Sequence, residues 1–123
     1  MAKILLVDDN EALRELFLAV FSQAGHESHT AVDAREALSW LAKEKFDVLI
    51  SDVSMPEMSG LALYERVKQI DKVLAAHMIL ITGVSDLRTR TFLEENRIPH
   101  LFKPFRVKRL LELVDLLLQC AHE

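Results

Sequence analysis

The sequence predicts an α/β protein: a three-layer sandwich in which a five-stranded parallel sheet is covered by five helices. Three observations carry that expectation. Residues 4–7, 46–50 and 78–81 are almost unbroken runs of Ile, Leu, Val, Met and Phe, the pattern of strands whose two faces are both covered, as in a parallel sheet. Segments of helical period lie between these runs, so strand and helix alternate along the chain. Two further strand-like segments are polar or very short, as the solvated borders of a sheet require.

The elements follow in order. After the first strand, Leu13, Leu16, Phe17, Val20 and Ala24 recur at three and four, with Asn10 placed to cap the helix and Gly25 to close it. Residues 26–31 form a polar second strand. A second helix spans about 33–43 with Ala37, Leu38 and Leu41 inward, and a third about 59–70 with Leu63, Val67 and Ile70 inward. Trp40 and Tyr64 belong to helix packing, and His77 leads into the fourth strand, partly exposed. The fourth helix, of weaker period, spans about 86–96, and the fifth strand is only 100–102. The fifth helix starts near Arg106 and carries Val107, Leu110, Leu111, Val114, Leu117 and Leu118. With right-handed crossovers and the apolar strands central, the simplest strand order is 2-1-3-4-5, the flavodoxin-like form of the doubly wound sheet.

Composition narrows the function. At 123 residues, residues 1–123 read as one domain, able to bury roughly two-thirds of its unfolded surface without disulfide or metal. Fifteen Lys and Arg against nineteen Asp and Glu give a net charge of −4, the wrong sign for a domain that grips nucleic acid directly. The single cysteine, Cys120, cannot staple the fold and reads as a packing or surface thiol. No apolar run reaches membrane-span length or follows a basic secretory start, so a cytoplasmic protein is expected.

In such a sheet ligands bind beyond the carboxyl ends of the strands, where strand order reverses between the first and third. The first strand ends in Asp8 and Asp9, the third in Asp52, the fourth in Thr82, and the fifth in Lys103 before Pro104. Two carboxylates about 5 Å apart repel by roughly 3 kcal/mol at an effective dielectric near 20, so three together call for a cation or for protons. An all-oxygen set without His or Cys suits a hard ion, and Mg²⁺ fits better than Ca²⁺. Carboxylates, Mg²⁺, an ammonium and a hydroxyl together suit phosphoryl transfer, with an aspartate itself a possible acceptor. Helix capping explains one acid per loop but not this convergence.

These residues resemble the receiver domains of two-component response regulators. The resemblance covers the whole chain through Leu5-Leu6-Val7-Asp8-Asp9-Asn10, Asp52 within Leu49-Ile50-Ser51-Asp52-Val53-Ser54-Met55-Pro56, Ile81-Thr82-Gly83, and Phe102-Lys103-Pro104-Phe105. It implies that Asp52 is phosphorylated, that Asp8, Asp9, Asp52 and the backbone carbonyl of Ser54 hold Mg²⁺, and that Thr82 and Lys103 contact the phosphoryl oxygens. It also implies a cis Lys103–Pro104 peptide. The donor would be a histidine kinase or a histidine phosphotransfer protein, and the domain would catalyse only its own phosphorylation and dephosphorylation, without being a turnover enzyme. Ser54 and Val84 would flank the path of the hydrolytic water.

One departure stands out. Receivers usually carry Tyr or Phe three residues before the lysine, and this chain has His100. The expectation is a switch made by Thr82 and His100, with protonation near histidine's ordinary pKa of about 6.5 turning the ring outward. The segment around Thr91-Phe92-Leu93-Glu94 and Ile98-Pro99-His100 looks more like receivers attached to hybrid histidine kinases. The fourth helix, fifth strand and fifth helix would form the switching surface and a homodimer interface, helped by Leu113 and Leu116 beside the core stripe. Arg106, Lys108 and Arg109 read as a solvated helix turn before a docking site, Met55 and Met58 as the loop over the site, and His26 with His29 as an exposed edge holding no zinc.

Two alternatives come from other classes. A Mg²⁺-dependent phosphatase of the haloacid dehalogenase type would need an Asp two residues after the nucleophile, where this chain has Ser54. A receiver acting only as an unphosphorylated scaffold would not need the full set of site residues. A flavodoxin is disfavoured because Asp8, Asp9 and Glu11 would repel a flavin phosphate.

Overall fold

A computed structural model describes residues 2–83 and 86–120, the side chain of Cys120 excepted; the readings of Val84 and of the Cys120 thiol fall outside what is described. The elements run β1 (Lys3–Val7), α1 (Glu11–Gln23), β2 (Glu27–Ala31), α2 (Ala34–Lys43), β3 (Val48–Asp52), α3 (Gly60–Ile70), α4 (Lys72–Ala75), β4 (Met78–Thr82), α5 (Leu87–Glu95), β5 (His100–Phe102) and α6 (Val107–Cys120). All pairings are parallel, in the order β2-β1-β3-β4-β5. The predicted fourth and fifth helices are α5 and α6.

Strand alternation splits the core into two layers. Leu5 and Val7 of β1 face Leu49, Leu63, Val67, Leu80 and Leu93, under α2, α3 and α5. Ile4 and Leu6 face Phe17, Phe21, Leu110 and Val114, under α1 and α6. The central strands are buried on both sides, as their unbroken apolar runs require.

Caps set most helix starts. Asn10, Asp33, Ser59, Asp71 and Asp86 each accept a backbone N–H three residues on. Asp71 also explains the sixth helix, which corrects the expectation of five. Its carboxylate receives the N–H of Leu74 at 3.0 Å just where α3 ends, starting a second short turn with too few residues to show a period.

Three residues assigned to inward stripes face water instead, among them Ala24, which caps α1 beyond its last turn. Leu16 is 47% exposed and Ile70 59% exposed. In α1 the buried anchors are Phe17 and Phe21, four residues apart, which leaves Leu16 at the stripe's margin; Ile70 is the last residue of α3, beyond the sheet it packs on. The third strand starts and ends two residues later than its apolar run, because Ser51 and Asp52 continue the ladder. Likewise β2 begins at Glu27, and His26 precedes it, accepting the Ala2 N–H.

Candidate functional site

The carboxyl ends of β1 and β3 are neighbours in the sheet, so the loops leaving them bring Asp8, Asp9 and Asp52 together. One carboxylate oxygen from each lies within 4.8 Å of the others. Asp8 and Asp52 are buried and Asp9 is exposed, giving the cluster a wet mouth and a dry floor.

The two buried acids, Asp8 and Asp52, are held from below. The Asp8 N–H donates to Ala31 O at 3.1 Å, and Asp8 Oδ1 accepts the Asn10 N–H at 2.8 Å. Arg14 reaches back from α1 to donate to the Asp8 carbonyl at 2.7 Å. Asp52 Oδ1 accepts the Ser54 N–H at 3.1 Å, and Asp52 Oδ2 accepts from the Lys103 ammonium at 2.9 Å. The Lys103 N–H donates to Thr82 O at 2.8 Å, tying the ends of β4 and β5, and the Lys103–Pro104 peptide is cis. Thr82 is fully buried at the end of β4.

Gly60 was not anticipated. A Cβ there would sit 2.4 Å from the Asp52 carbonyl oxygen and 2.9 Å from Val53 Cα. The start of α3 therefore packs directly against the backbone carrying Asp52, and the Gly60 N–H donates to Val53 O at 2.9 Å. The available signal was a glycine at the first position of a Ser-capped helix, where glycine's conformational freedom is not needed. Arg14 was also missed, since its position in the first turns of α1 looks like ordinary surface charge.

The charges interact as crowding demands. Burial pushes the Asp8 carboxyl above the usual carboxylate range, against the Asn10 N–H, and the negative charge of Asp52 pushes it further. For Lys103 burial acts downward, but the hydrogen bond and charge of Asp52, with Asp8 and Asp9 behind it, prevail and raise the ammonium above its ordinary value. Three hard carboxylate oxygens within 4.8 Å of one another, those of Asp8 and Asp52 held by hydrogen bonds and that of Asp9 on the open side, fit a Mg²⁺ ion.

Other expected residues are placed apart. His100 Nδ1 contacts Ile98 O at 2.7 Å, and its ring stands edge-on to Phe102 at 5.3 Å; no hydrogen bond or ion pair joins it to the acids among the described residues. Ser54 is exposed beside Asp52. Met55 is half-buried and accepts from Ser51 Oγ at 3.9 Å. At the opposite end of the sheet His29 pairs with Glu27 at 2.8 Å, and Lys3 bridges Glu27 and Glu44. That ammonium balances a second acidic group of Glu27, His29 and Glu44.

The sequence profile of the response regulator receiver domain matches residues 4–115. This chain belongs to that family. The receiver is 34% identical over 119 residues to the DNA-binding transcriptional regulator NtrC of Azospirillum brasilense, covering 93% of this chain and 24% of NtrC. It is 30% identical over 112 residues to sporulation initiation phosphotransferase F of Bacillus subtilis, covering 91% and 90%. Among solved structures it is similar to chemotaxis protein CheY4 of Vibrio cholerae, with a TM-score of 0.84, 32% identity and coverage of 95% and 98%. It is also similar to TrrA of Thermotoga maritima in complex with Mg²⁺-BeF, with a TM-score of 0.82, 32% identity and coverage of 95% and 99%. The receiver thus spans about a quarter of the length of NtrC and 90% of that of sporulation initiation phosphotransferase F. Among its described residues no helix is long and apolar enough to cross a membrane.

Proposed function

We propose that this receiver accepts a phosphoryl group on Asp52 from the phosphohistidine of a histidine kinase or a histidine phosphotransfer protein, in the cytoplasm. The observation that carries the reading is the Asp52 carboxylate, buried at the end of β3, with one oxygen on the Lys103 ammonium and Asp8 and Asp9 within 4.8 Å. An Asp52 oxygen forms the new bond to phosphorus as the bond to the donor imidazole breaks, and the histidine leaves. Asp8, Asp9, Asp52 and the Ser54 carbonyl are the residues to hold Mg²⁺. When bound, that ion supplies charge neutralisation for the carboxylates and the transferring phosphoryl oxygens.

The chain's own residues do the rest. Lys103 places a fixed positive charge at the acceptor, and the buried Thr82 lies at the end of the neighbouring strand, placed to receive a phosphoryl oxygen. Ser54, two residues after Asp52, supplies no carboxylate for acid–base turnover. This favours a domain that catalyses only its own phosphorylation and dephosphorylation over a phosphatase of the haloacid dehalogenase type. The complete acid and lysine set likewise disfavours a pure scaffold.

The output we assign to the face of α5, β5 and α6. Phe102 of β5 and Leu116 of α6 are exposed, and the Arg90 guanidinium of α5 lies 5.5 Å from the Phe102 ring. Phosphorylation shifts a two-state surface on this face toward a homodimer or a partner-bound form. Incubation with Mg²⁺ and acetyl phosphate, read by intact mass, tests the reading: one phosphoryl group on wild type and none on Asp52→Ala is expected. Modification of a different side chain overturns it. Sedimentation showing a monomer at high concentration, with and without beryllofluoride, removes the homodimer.

A further inference from the structure

At the end of the sheet opposite the acid cluster, α3, α4 and the segment after α5 border a half-open cavity of about 320 Å³, with exposed cations at its rim. Lys68, Lys72 and Arg97 line it, together with Tyr64, Asn96 and Ile98, and no carboxylate does. In a chain with more acids than bases, the three cations come from three different segments. None of them has a carboxylate within ion-pairing distance among the described residues.

Helix ends account for only part of this. Lys68 lies in the last turn of α3, where a cation suits the helix dipole. Lys72 opens the four-residue α4, which is too short for its first and last turns to be told apart. Arg97 is more telling by comparison within the chain. Both α1 and α5 close with the same pair of reversed hydrogen bonds: His26 N–H to Phe21 O with Gly25 N–H to Ser22 O, and Ile98 N–H to Leu93 O with Arg97 N–H to Glu94 O. The left-handed residue is Gly25 at φ 86° in α1 but Arg97 at φ 52° in α5. Glycine is the ordinary choice there, so an arginine stands where its backbone is disfavoured and its side chain lines the cavity.

We infer that this cavity is a binding site for a small phosphomonoester, its dianionic phosphate among Lys68, Lys72 and Arg97 and its body against Tyr64 and Ile98. The volume lies at the lower end of small-molecule pockets, and three cations lining one cavity exceed what a single carboxylate would balance. An acidic protein surface would need a broad flat face in place of a cavity.

The test is a titration followed by amide NMR, in divalent-free buffer of low ionic strength so that the acid cluster stays out of play. The probes are adenosine 5′-monophosphate, inorganic phosphate, adenosine and an oligoglutamate peptide. Expected are saturable shifts at Tyr64, Ala75, Asn96 and Ile98 with the nucleotide, weaker shifts at the same residues with phosphate, and none with adenosine. Arg97→Gly keeps the helix closure, because glycine favours that backbone, yet weakens binding about tenfold or more, as does Lys72→Gln. Unchanged affinity in both variants, shifts that never saturate, equal shifts with adenosine, or binding of the peptide alone would overturn the site. Phosphorylation of Asp52 is measured separately, so failure here leaves that reading standing.

Discussion

Lys103 Nζ lies 2.9 Å from Asp52 Oδ2, joining residues 51 positions apart across the tops of β3 and β5. The lysine is therefore the counter-charge of the Asp52 carboxylate, the proposed acceptor, as well as the proposed partner of a phosphoryl group. Asp52 is buried while the Lys103 side chain is 37% exposed, so solvent screens the pair from one side. Lys103→Gln should cost about 1 kcal/mol of stability in urea unfolding and slow phosphorylation by acetyl phosphate about a hundredfold. Because the folded pKa of Lys103 is raised, the stability gap to wild type is full below the unfolded value of 10.5 and closes only as pH rises through the higher folded value. A gap that already closes near neutrality would contradict the pairing.

Asp8 gives the opposite sign. Its raised pKa means that folding disfavours the carboxylate, so the charge costs stability at neutral pH, and the cost is relieved as pH falls through the folded value. Asp8→Asn retains an oxygen for the Asn10 N–H and removes the charge. In metal-free buffer it should melt about 3 °C higher than wild type, whereas the stabilisation that Mg²⁺ confers on wild type should shrink. Lower thermal stability without metal would show that the acids are not crowded.

Gly60→Ala tests the support beneath the acceptor. The new methyl meets backbone atoms, which cannot rotate away, so α3 or the end of β3 must shift. A loss of about 2–3 kcal/mol is expected, with slower phosphorylation of Asp52. Gly25→Ala separates this cause from backbone freedom: it has open space around its Cβ but sits at φ 86°, so it should lose about 1 kcal/mol and leave phosphorylation unchanged.

His100, which we propose as the partner of Thr82 in the switch, holds Nδ1 2.7 Å from the Ile98 carbonyl and stands edge-on to Phe102, whose ring faces the Arg90 guanidinium. The active population of the beryllofluoride form, followed by NMR, is expected to differ between wild type and His100→Phe. Equal populations in the two would exclude His100 from the switch.

The alternation of apolar runs and helical periods determined the five strands, their order and the rim on which Asp8, Asp9, Asp52, Thr82 and Lys103 stand, because burial on both faces leaves its mark in consecutive residues. The cap at Asn10 was readable because it acts over three residues. What required the folded chain were contacts between segments distant in sequence. Arg14 on the Asp8 carbonyl, Gly60 against Asp52, and the meeting of Lys68, Lys72 and Arg97 have no local period to announce them. Leu16 and Ile70 show the converse, since apolar spacing says which side of a helix is available for burial, and only the size and reach of the neighbouring layer decide how much of that side is covered.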